Sequence, residues 1–214
     1  MAVLRGLDTT VELTRHAAAL KTQGYDFAMR YYSNNAAKNL SLCEARALSQ
    51  AGLKIGVVWA TSGTHAAFFT RAQGLADGAQ AWRMARESIG QPFGSAIYFA
   101  VDYDPTQADI DGGISNYFTS VHAALYVAND GAPSYRVGVY GSGLCCGALV
   151  ERGMAELSWL SQSTGFAGSR QYAEQQRYDI LQTLPARIVG ADGIVLSIDP
   201  DTTHPDRDAG LFSV

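Results

Sequence analysis

Strong charge of either sign is scarce in this sequence, and clusters of basic residues are absent. Charged side chains make up 17% of the 214 residues, and the formal net charge is −4. Proteins that bind nucleic acids or anionic membrane surfaces do so through clustered Lys and Arg. The composition therefore excludes nucleic acid as an expected partner and argues against an anionic membrane surface.

Long apolar runs are also missing. No segment approaches the roughly 18 consecutive apolar residues of a transmembrane helix, so we expect no membrane span. The first residues lack a charged start followed by an apolar core, so we expect no signal peptide in this chain.

Cysteine is scarce as well, with only Cys43, Cys145 and Cys146. An odd number without a repeated spacing does not describe a disulfide framework. Cys145 and Cys146 are expected to be small buried side chains, and a vicinal disulfide or a redox role is the alternative.

The sequence does contain short apolar segments, the clearest of which is Ser-Ala-Ile-Tyr-Phe-Ala-Val at residues 95–101. A run this short of branched and aromatic residues is typical of a strand buried in a parallel sheet. Asp102 and Asp104 follow two positions apart, so they point to the same face if the strand continues through them. Pro105 lacks an amide donor and is expected to end the strand.

Similar segments alternate with helical ones along the chain. The predicted strands are residues 3–8, 27–32, 55–60, 95–101, 135–141, 157–163, 178–184 and 193–199. The predicted helices lie within residues 9–22, 41–50, 74–89, 105–129 and 143–153, the second opened by a capping box at Ser41 and Glu44. This alternation predicts an α/β fold, an irregular (β/α)8 TIM-type barrel that forms a single domain over residues 1–214. An open doubly wound sheet is the alternative, although no Gly-x-Gly-x-x-Gly fingerprint follows the first strand.

Three of the predicted strands end in aspartate. Asp8 ends the first strand, Asp102 with Asp104 the fourth, and Asp199 the last. In a closed barrel these carboxyl ends share one mouth, with the last strand beside the first. Acids crowded together raise some of each other's pKa values, and glycosidic cleavage needs one such protonated acid beside ionised ones.

The acids beyond the last predicted strand are interpreted differently. Asp201 and Asp206 lie in a polar, proline-containing tail and are expected to be solvated turn residues.

Six further residues near strand ends are candidates for holding a sugar: Arg30, Tyr32, Trp59, Tyr140, Gln162 and Gln182. Aromatic faces and amides suit carbohydrate, which offers apolar C–H faces and many hydroxyls. Taken singly, each aromatic residue can equally be an ordinary core residue. A buried Arg30 needs a carboxylate, and Asp8 is its expected partner.

Other chemistries have less support. The four histidines show no metal-ligand spacing, and no Gly-x-Ser-x-Gly motif is present. The acid cluster could bind Mg²⁺ or Ca²⁺ through its oxygens, which remains an alternative. No cofactor and no metal are expected in the preferred interpretation.

Four stretches together resemble a known family. They are Arg30-Tyr-Tyr, residues 97–104 (Ile-Tyr-Phe-Ala-Val-Asp-Tyr-Asp), residues 138–141 (Gly-Val-Tyr-Gly) and residues 160–169 (Leu-Ser-Gln-Ser-Thr-Gly-Phe-Ala-Gly-Ser). Over nearly its whole length the chain resembles the glycoside-hydrolase-like family first catalogued as domain of unknown function 1906. That family is similar to the family-25 glycoside hydrolases, the lysozyme-like muramidases, whose irregular (β/α)8 barrels cleave peptidoglycan.

The resemblance implies a site built from Asp8, Asp102, Asp104 and Asp199. The resemblance implies Glu, the general acid of the muramidases, at the position where Asp104 stands here. Asp104 is one methylene shorter, which removes roughly 1.5 Å of reach. Since misplacement by about 1 Å can cost on the order of a hundredfold in rate, this departure bears directly on activity.

The first functional hypothesis is a monomeric glycoside hydrolase that acts on peptidoglycan or a related glycan. Asp104 would be the general acid, Asp102 would stabilise positive charge or orient an N-acetyl group, and Asp8 and Asp199 would position water. The alternatives are a non-catalytic glycan-binding module and a hydrolase of another bond that depends on a divalent cation. A cell-wall substrate would imply an envelope or extracellular location.

Overall fold

Eight strands close into a barrel in the computed structural model of the protein, which describes residues 2–214. The strands of the whole structure are β1 (Arg5–Asp8), β2 (Phe27–Tyr32), β3 (Lys54–Trp59), β4 (Ala96–Ala100), β5 (Arg136–Gly141), β6 (Leu157–Leu160), β7 (Ile180–Gln182), β8 (Ala186–Val189) and β9 (Val195–Thr203). β1 to β7 pair in chain order and run parallel. β9 completes the ring between β7 and β1, so the predicted single-domain TIM-type barrel is confirmed.

The closing strand differs from the prediction in direction. β9 runs antiparallel to both β7 and β1, and Asp199 lies in the middle of it, directly opposite Asp8. β8 is an additional strand that pairs only with β9. The connection after β7 contains no crossover α-helix, and parallel neighbours need one or a loop of comparable length. The chain therefore returns through a hairpin.

Helices cover the outside of the barrel. They are α1 (Ala17–Thr22), α2 (Leu42–Gln50), α3 (Arg71–Arg83), α4 (Gln107–Asp109), α5 (Ser115–Ala128), α6 (Gly143–Glu151) and α7 (Ser169–Glu174). A π-helical turn, Met84–Ile89, extends α3, and another, Ile110–Ile114, joins α4 to α5. The first predicted helix begins only at Thr14–His16, as a 3-10 turn, because the residue before it is bonded to α2. The Leu13 amide donates to Glu44 Oε1 at 2.8 Å. The sequence did not predict α7.

The barrel interior is tightly packed below the mouth. A Cβ atom on Gly6 would lie 2.2 Å from the Phe27 ring, and one on Gly138 would lie 2.4 Å from the Tyr98 ring. Glycine thus leaves space for an aromatic ring from the neighbouring strand, and the barrel has a solid core.

The outer face of β2 carries a buried ion pair that corrects one prediction. Arg30 Nε donates to Glu44 Oε1 at 2.7 Å, and the guanidinium also bonds the Thr9 carbonyl. Arg30 therefore pairs with Glu44 on α2, and its predicted partnership with Asp8 is wrong. Because Glu44 pairs with Arg30, only one of the two hydrogen bonds of the predicted capping box forms. Ser41 accepts the Glu44 amide at 3.1 Å, whereas the Glu44 carboxylate faces Arg30 and Leu13.

The helices and the cysteines can be compared with the expectations from composition. None of the helices within residues 2–214 is both long and apolar enough to cross a membrane. Cys145 and Cys146 are buried free thiols, as predicted, and Cys43 is an exposed one.

Candidate active site at the barrel mouth

A cavity of about 250 Å³ opens at the carboxyl ends of β1 to β7, and we call it the mouth cavity. Its lining comprises Asp8, Tyr31, Val58, Ala60, Ala100, Asp102, Tyr140, Trp159, Gln162, Gln182 and Asp199. The acids Asp8, Asp102 and Asp199 were all predicted to meet at one rim, and they do. The same cavity receives three of the predicted sugar-binding side chains, Tyr140, Gln162 and Gln182.

Asp8 is fixed by hydrogen bonds to both carboxylate oxygens. Tyr31 donates its hydroxyl to Oδ1 at 2.7 Å, and Gln182 donates its amide to Oδ2 at 2.6 Å. The Gln182 carbonyl oxygen accepts the Tyr140 hydroxyl at 3.0 Å and the Gln162 backbone N–H at 3.2 Å. These two donors fix which end of the Gln182 amide points to Asp8. The site is therefore held in one arrangement by its own side chains.

The pKa values of the three mouth acids are all raised. Burial raises the pKa of Asp8 to about 6, against the hydrogen bonds from Tyr31 and Gln182, which lower it, and the charge of Asp199 adds to the rise. Burial likewise raises the pKa of Asp102, while the positive charge of Lys38 opposes that rise. Burial also raises the pKa of Asp199. Carboxyls with raised pKa values can donate or accept a proton near neutral pH.

Asp201 lies below the mouth, and its predicted solvation is wrong. It is 1% exposed, and Oδ1 accepts the Trp159 indole N–H at 2.9 Å. Its other oxygen, Oδ2, has no hydrogen-bond partner among the described residues. Burial, followed by the charge of Asp8, raises the pKa of Asp201 well above its usual range. Asp206, the other acid expected to be solvated, is exposed.

Asp104 does not line the mouth cavity. β4 ends at Ala100, so the strand geometry that would align Asp104 with Asp102 does not continue. The Asp104 side chain is exposed, and Oδ1 accepts the Ala167 backbone N–H at 2.8 Å. That contact ties the loop after β4 to the loop after β6.

Three predicted sugar-binding residues lie outside the mouth cavity. Tyr32 is fully buried and donates its hydroxyl to Gln91 at 2.9 Å, and Trp59 is buried in the layer between strands and helices. Arg30 is the residue already paired with Glu44. The error has one cause: side chains alternate between the two faces of a strand, and these three belong to the outer face.

The inner face supplies two residues with polar side-chain groups that the site prediction left out, Tyr31 and Trp159. The alternation contained a signal for Tyr31, because it lies between Arg30 and Tyr32 and so faces the other way. The alternation also contained a signal for Asp201. Asp201 lies two positions beyond Asp199 on the same strand, so both side chains point to the same face. No comparable signal in the sequence identifies Trp159.

The mouth cavity offers acids, hydroxyls and amides but no metal-ligand set. Among residues 2–214 no group of three or more His, Cys, Asp or Glu side chains is arranged to hold a metal ion. Three carboxyls with tyrosine and glutamine donors can bind hydroxyl groups, move protons and stabilise positive charge.

Comparison with known proteins gives a family match for most of the chain. The family model described as "Rv2525c-like, glycoside hydrolase-like domain" matches residues 18–203. The uncharacterized protein YbfG of Bacillus subtilis is 30% identical over 215 residues, which cover 96% of this chain and 29% of YbfG. The chain thus spans less than a third of that relative.

Solved structures share the fold. The Tat-secreted protein Rv2525c of Mycobacterium tuberculosis, crystallised in complex with L-tartrate, superposes with a TM-score of 0.77 at 19% identity and covers 98% of both chains. The bacterial lysozyme of Streptomyces coelicolor gives a TM-score of 0.53 at 13% identity, with 96% of this chain and 93% of the lysozyme covered. At these identities the likeness establishes the barrel fold.

Proposed function

The chain belongs to the family of Rv2525c-like, glycoside hydrolase-like domains, and on this basis we propose that its barrel mouth binds and hydrolyses a glycan of the peptidoglycan type. The observation that carries the proposal is the convergence of Asp8, Asp102 and Asp199 on one open cavity. The lysozyme fold of the structural neighbour supports the substrate class.

We assign the proton donor to Asp102. It lines the cavity, its side chain is accessible from the mouth, and partial desolvation raises its pKa, which is the direction that a proton donor needs. Asp8 and Asp199 then stabilise positive charge at the sugar carbon or orient the attacking water. The family resemblance assigns the acid to Asp104, but that carboxylate accepts the Ala167 amide outside the cavity. Asp104 therefore has a positioning role in this proposal.

Two matched substitutions test the assignment. The release of new reducing ends from peptidoglycan fragments is measured for Asp102→Asn and Asp104→Asn, with Asp130→Asn as the control on an exposed turn. A lost general acid lowers the rate by about 10²–10⁴-fold, and we expect this loss in Asp102→Asn. Asp104→Asn should lose less, and Asp130→Asn nothing. The reverse order would return the acid role to Asp104.

A glycan-binding module without catalysis is the second candidate. It is favoured by the Asp at position 104, where the resemblance to the muramidases implies Glu, and by the position of that side chain outside the cavity. In that case titration calorimetry gives saturable binding of cell-wall fragments, and long incubation of the unaltered protein yields no new reducing ends. Detectable cleavage that Asp102→Asn abolishes would exclude this candidate.

A further inference from the structure

A second polar cavity, of about 340 Å³, adjoins the mouth cavity. It lies between the loop after β2 and the loop after β3, at residues 33–38 and 60–62, and we call it the side cavity. Ala60 lines both cavities, so the two are neighbours at the same rim. The Thr61 hydroxyl in the side cavity is enclosed and has no hydrogen-bond partner within the described part of the chain. Buried polar groups normally have a hydrogen-bond partner, so this hydroxyl marks a polar point in the wall of the side cavity.

Lys38 stands at the border between the two cavities. Its ammonium donates to the Ala60 carbonyl at 2.8 Å and lies 5.0 Å from the centre of the Tyr31 ring. Its positive charge acts on Asp102, which lines the mouth cavity. Among the described residues, Lys38 is the only basic side chain in the lining of either cavity.

The loop that carries Lys38 is braced by its own hydrogen bonds. The Ser33 hydroxyl donates to Asn39 Oδ1 at 2.7 Å, and the Asn39 amide donates back to the Ser33 carbonyl at 2.8 Å. The Leu40 amide then donates to the Tyr31 carbonyl at 2.9 Å, which attaches the end of the loop to β2. Lys38 is therefore presented by a preorganised segment, as a recognition residue should be.

We infer that the side cavity is a second sugar subsite and that Lys38 selects a sugar ring bearing a carboxylate. This inference rests on the proposed glycan-binding function and names the substrate class within it. The three acids of the mouth cavity repel an anionic group there, whereas the Lys38 ammonium attracts one at the adjoining border. The charge pattern therefore fixes how the oligosaccharide is placed along the two cavities. The acidic sugar occupies the side cavity, and the neighbouring sugar lies over Asp102.

The test compares matched oligosaccharides by titration calorimetry. One contains lactyl-ether hexosamines of the muramic type, the second contains uronic acids, and each is paired with its carboxyl-reduced alcohol. Since hydrogen bonds to a charged group are among the stronger ones, we expect one acidic oligomer to bind about tenfold more tightly than its reduced form. The oligomer that shows this preference identifies the source of the carboxylate.

Substitution of the lysine should remove the preference. Lys38→Met keeps most of the length of the side chain without its charge, and we expect it to bind the acidic and reduced oligomers equally. Lys54→Met makes the same change at an exposed site on the opposite end of β3 and should keep the preference. Raising the salt concentration with the unaltered protein provides a second measure, because only the acidic oligomer should weaken.

The outcomes separate this inference from the function on which it rests. Equal binding of acidic and reduced oligomers by the unaltered protein would overturn the role of Lys38 and leave the glycan site intact. A preference that survives in Lys38→Met would overturn it too. Failure of every oligomer to bind would overturn the proposed function together with this inference.

Discussion

The pKa of Asp8 is set by two opposing effects. Burial favours its protonated form, whereas the Tyr31 hydroxyl and the Gln182 amide favour the carboxylate. The outcome, a pKa of about 6 against an ordinary value of 3.8, leaves Asp8 poised close to neutral pH. A carboxyl with this pKa is mostly ionised at neutral pH, where it can stabilise positive charge, and it takes up a proton in mildly acidic solution.

The raised pKa of Asp8 predicts a stability change with a definite sign. Below about pH 4 Asp8 is protonated in both the folded and unfolded states, and between pH 4 and 6 only the unfolded state loses its proton. The stability contributed by the protonated form is therefore lost as the pH rises through 6, by at most about 3 kcal/mol. Urea denaturation of the wild type and Asp8→Asn at pH 4, 6 and 8 measures it. The wild type should lose stability relative to the variant, and a pH-independent difference would contradict the assignment.

Glu44 illustrates the opposite case, a residue whose charge is structural. It is fully buried and bonds both Arg30 and the Leu13 amide. Glu44→Gln leaves the Arg30 guanidinium buried without a counter-charge, which should cost about 3–5 kcal/mol of unfolding free energy. Asp26→Asn, which breaks the exposed pair with Lys21, should cost less than about 1 kcal/mol. Chemical denaturation of the two variants measures both losses. Similar losses would show that the buried pair contributes no more to stability than the exposed one.

At the scale of elements, the sequence locates strands well and assigns their faces poorly. The apolar run at residues 95–101 predicts β4 because short runs of branched and aromatic residues are typical of buried strands. Whether Arg30 or Tyr31 faces the barrel axis depends on how β2 pairs with its neighbours, and composition does not record that pairing. The site prediction therefore found acids and amides at strand ends but placed Arg30, Tyr32 and Trp59 on the wrong face.

The contact between α3 and α5 depends on glycine at the helix surface. A Cβ atom on Gly74 would lie 2.3 Å from the Tyr117 carbonyl oxygen, whereas one on Gly112 would meet nothing within 4 Å. Gly74→Ala should destabilise the fold by about 1–3 kcal/mol through overpacking. Gly112→Ala should stabilise it by about 0.5–1 kcal/mol because alanine favours helix. Thermal unfolding of the pair provides the measurement, and a stabilised Gly74→Ala would show that the two helices can separate without cost.

At the scale of the whole molecule, the sequence predicts that the barrel is irregular near its closure but does not predict the direction of the closing strand. The last predicted strands leave no space for full helices between them, which signals irregularity after β6. The direction of β9 follows from that shortage, because an antiparallel return needs only a hairpin. Asp199 therefore reaches the mouth from the middle of a strand and Asp201 lies below it. A prediction that places acids only at the ends of strands includes Asp199 in the site and leaves out Asp201.

Binding at the mouth should stabilise the whole barrel, and the time course of that effect separates an enzyme from a binding module. A ligand at 100 times its dissociation constant adds about 2.7 kcal/mol, which corresponds to about 5–10 °C in melting temperature for a chain of this size. With a cleavable oligosaccharide, the shift in the wild type should decay during incubation as the substrate is consumed. Asp102→Asn, which retains the binding groups but lacks the proposed acid, should keep its shift. A persistent shift in both proteins favours binding without cleavage, and no shift in either contradicts glycan binding at this cavity.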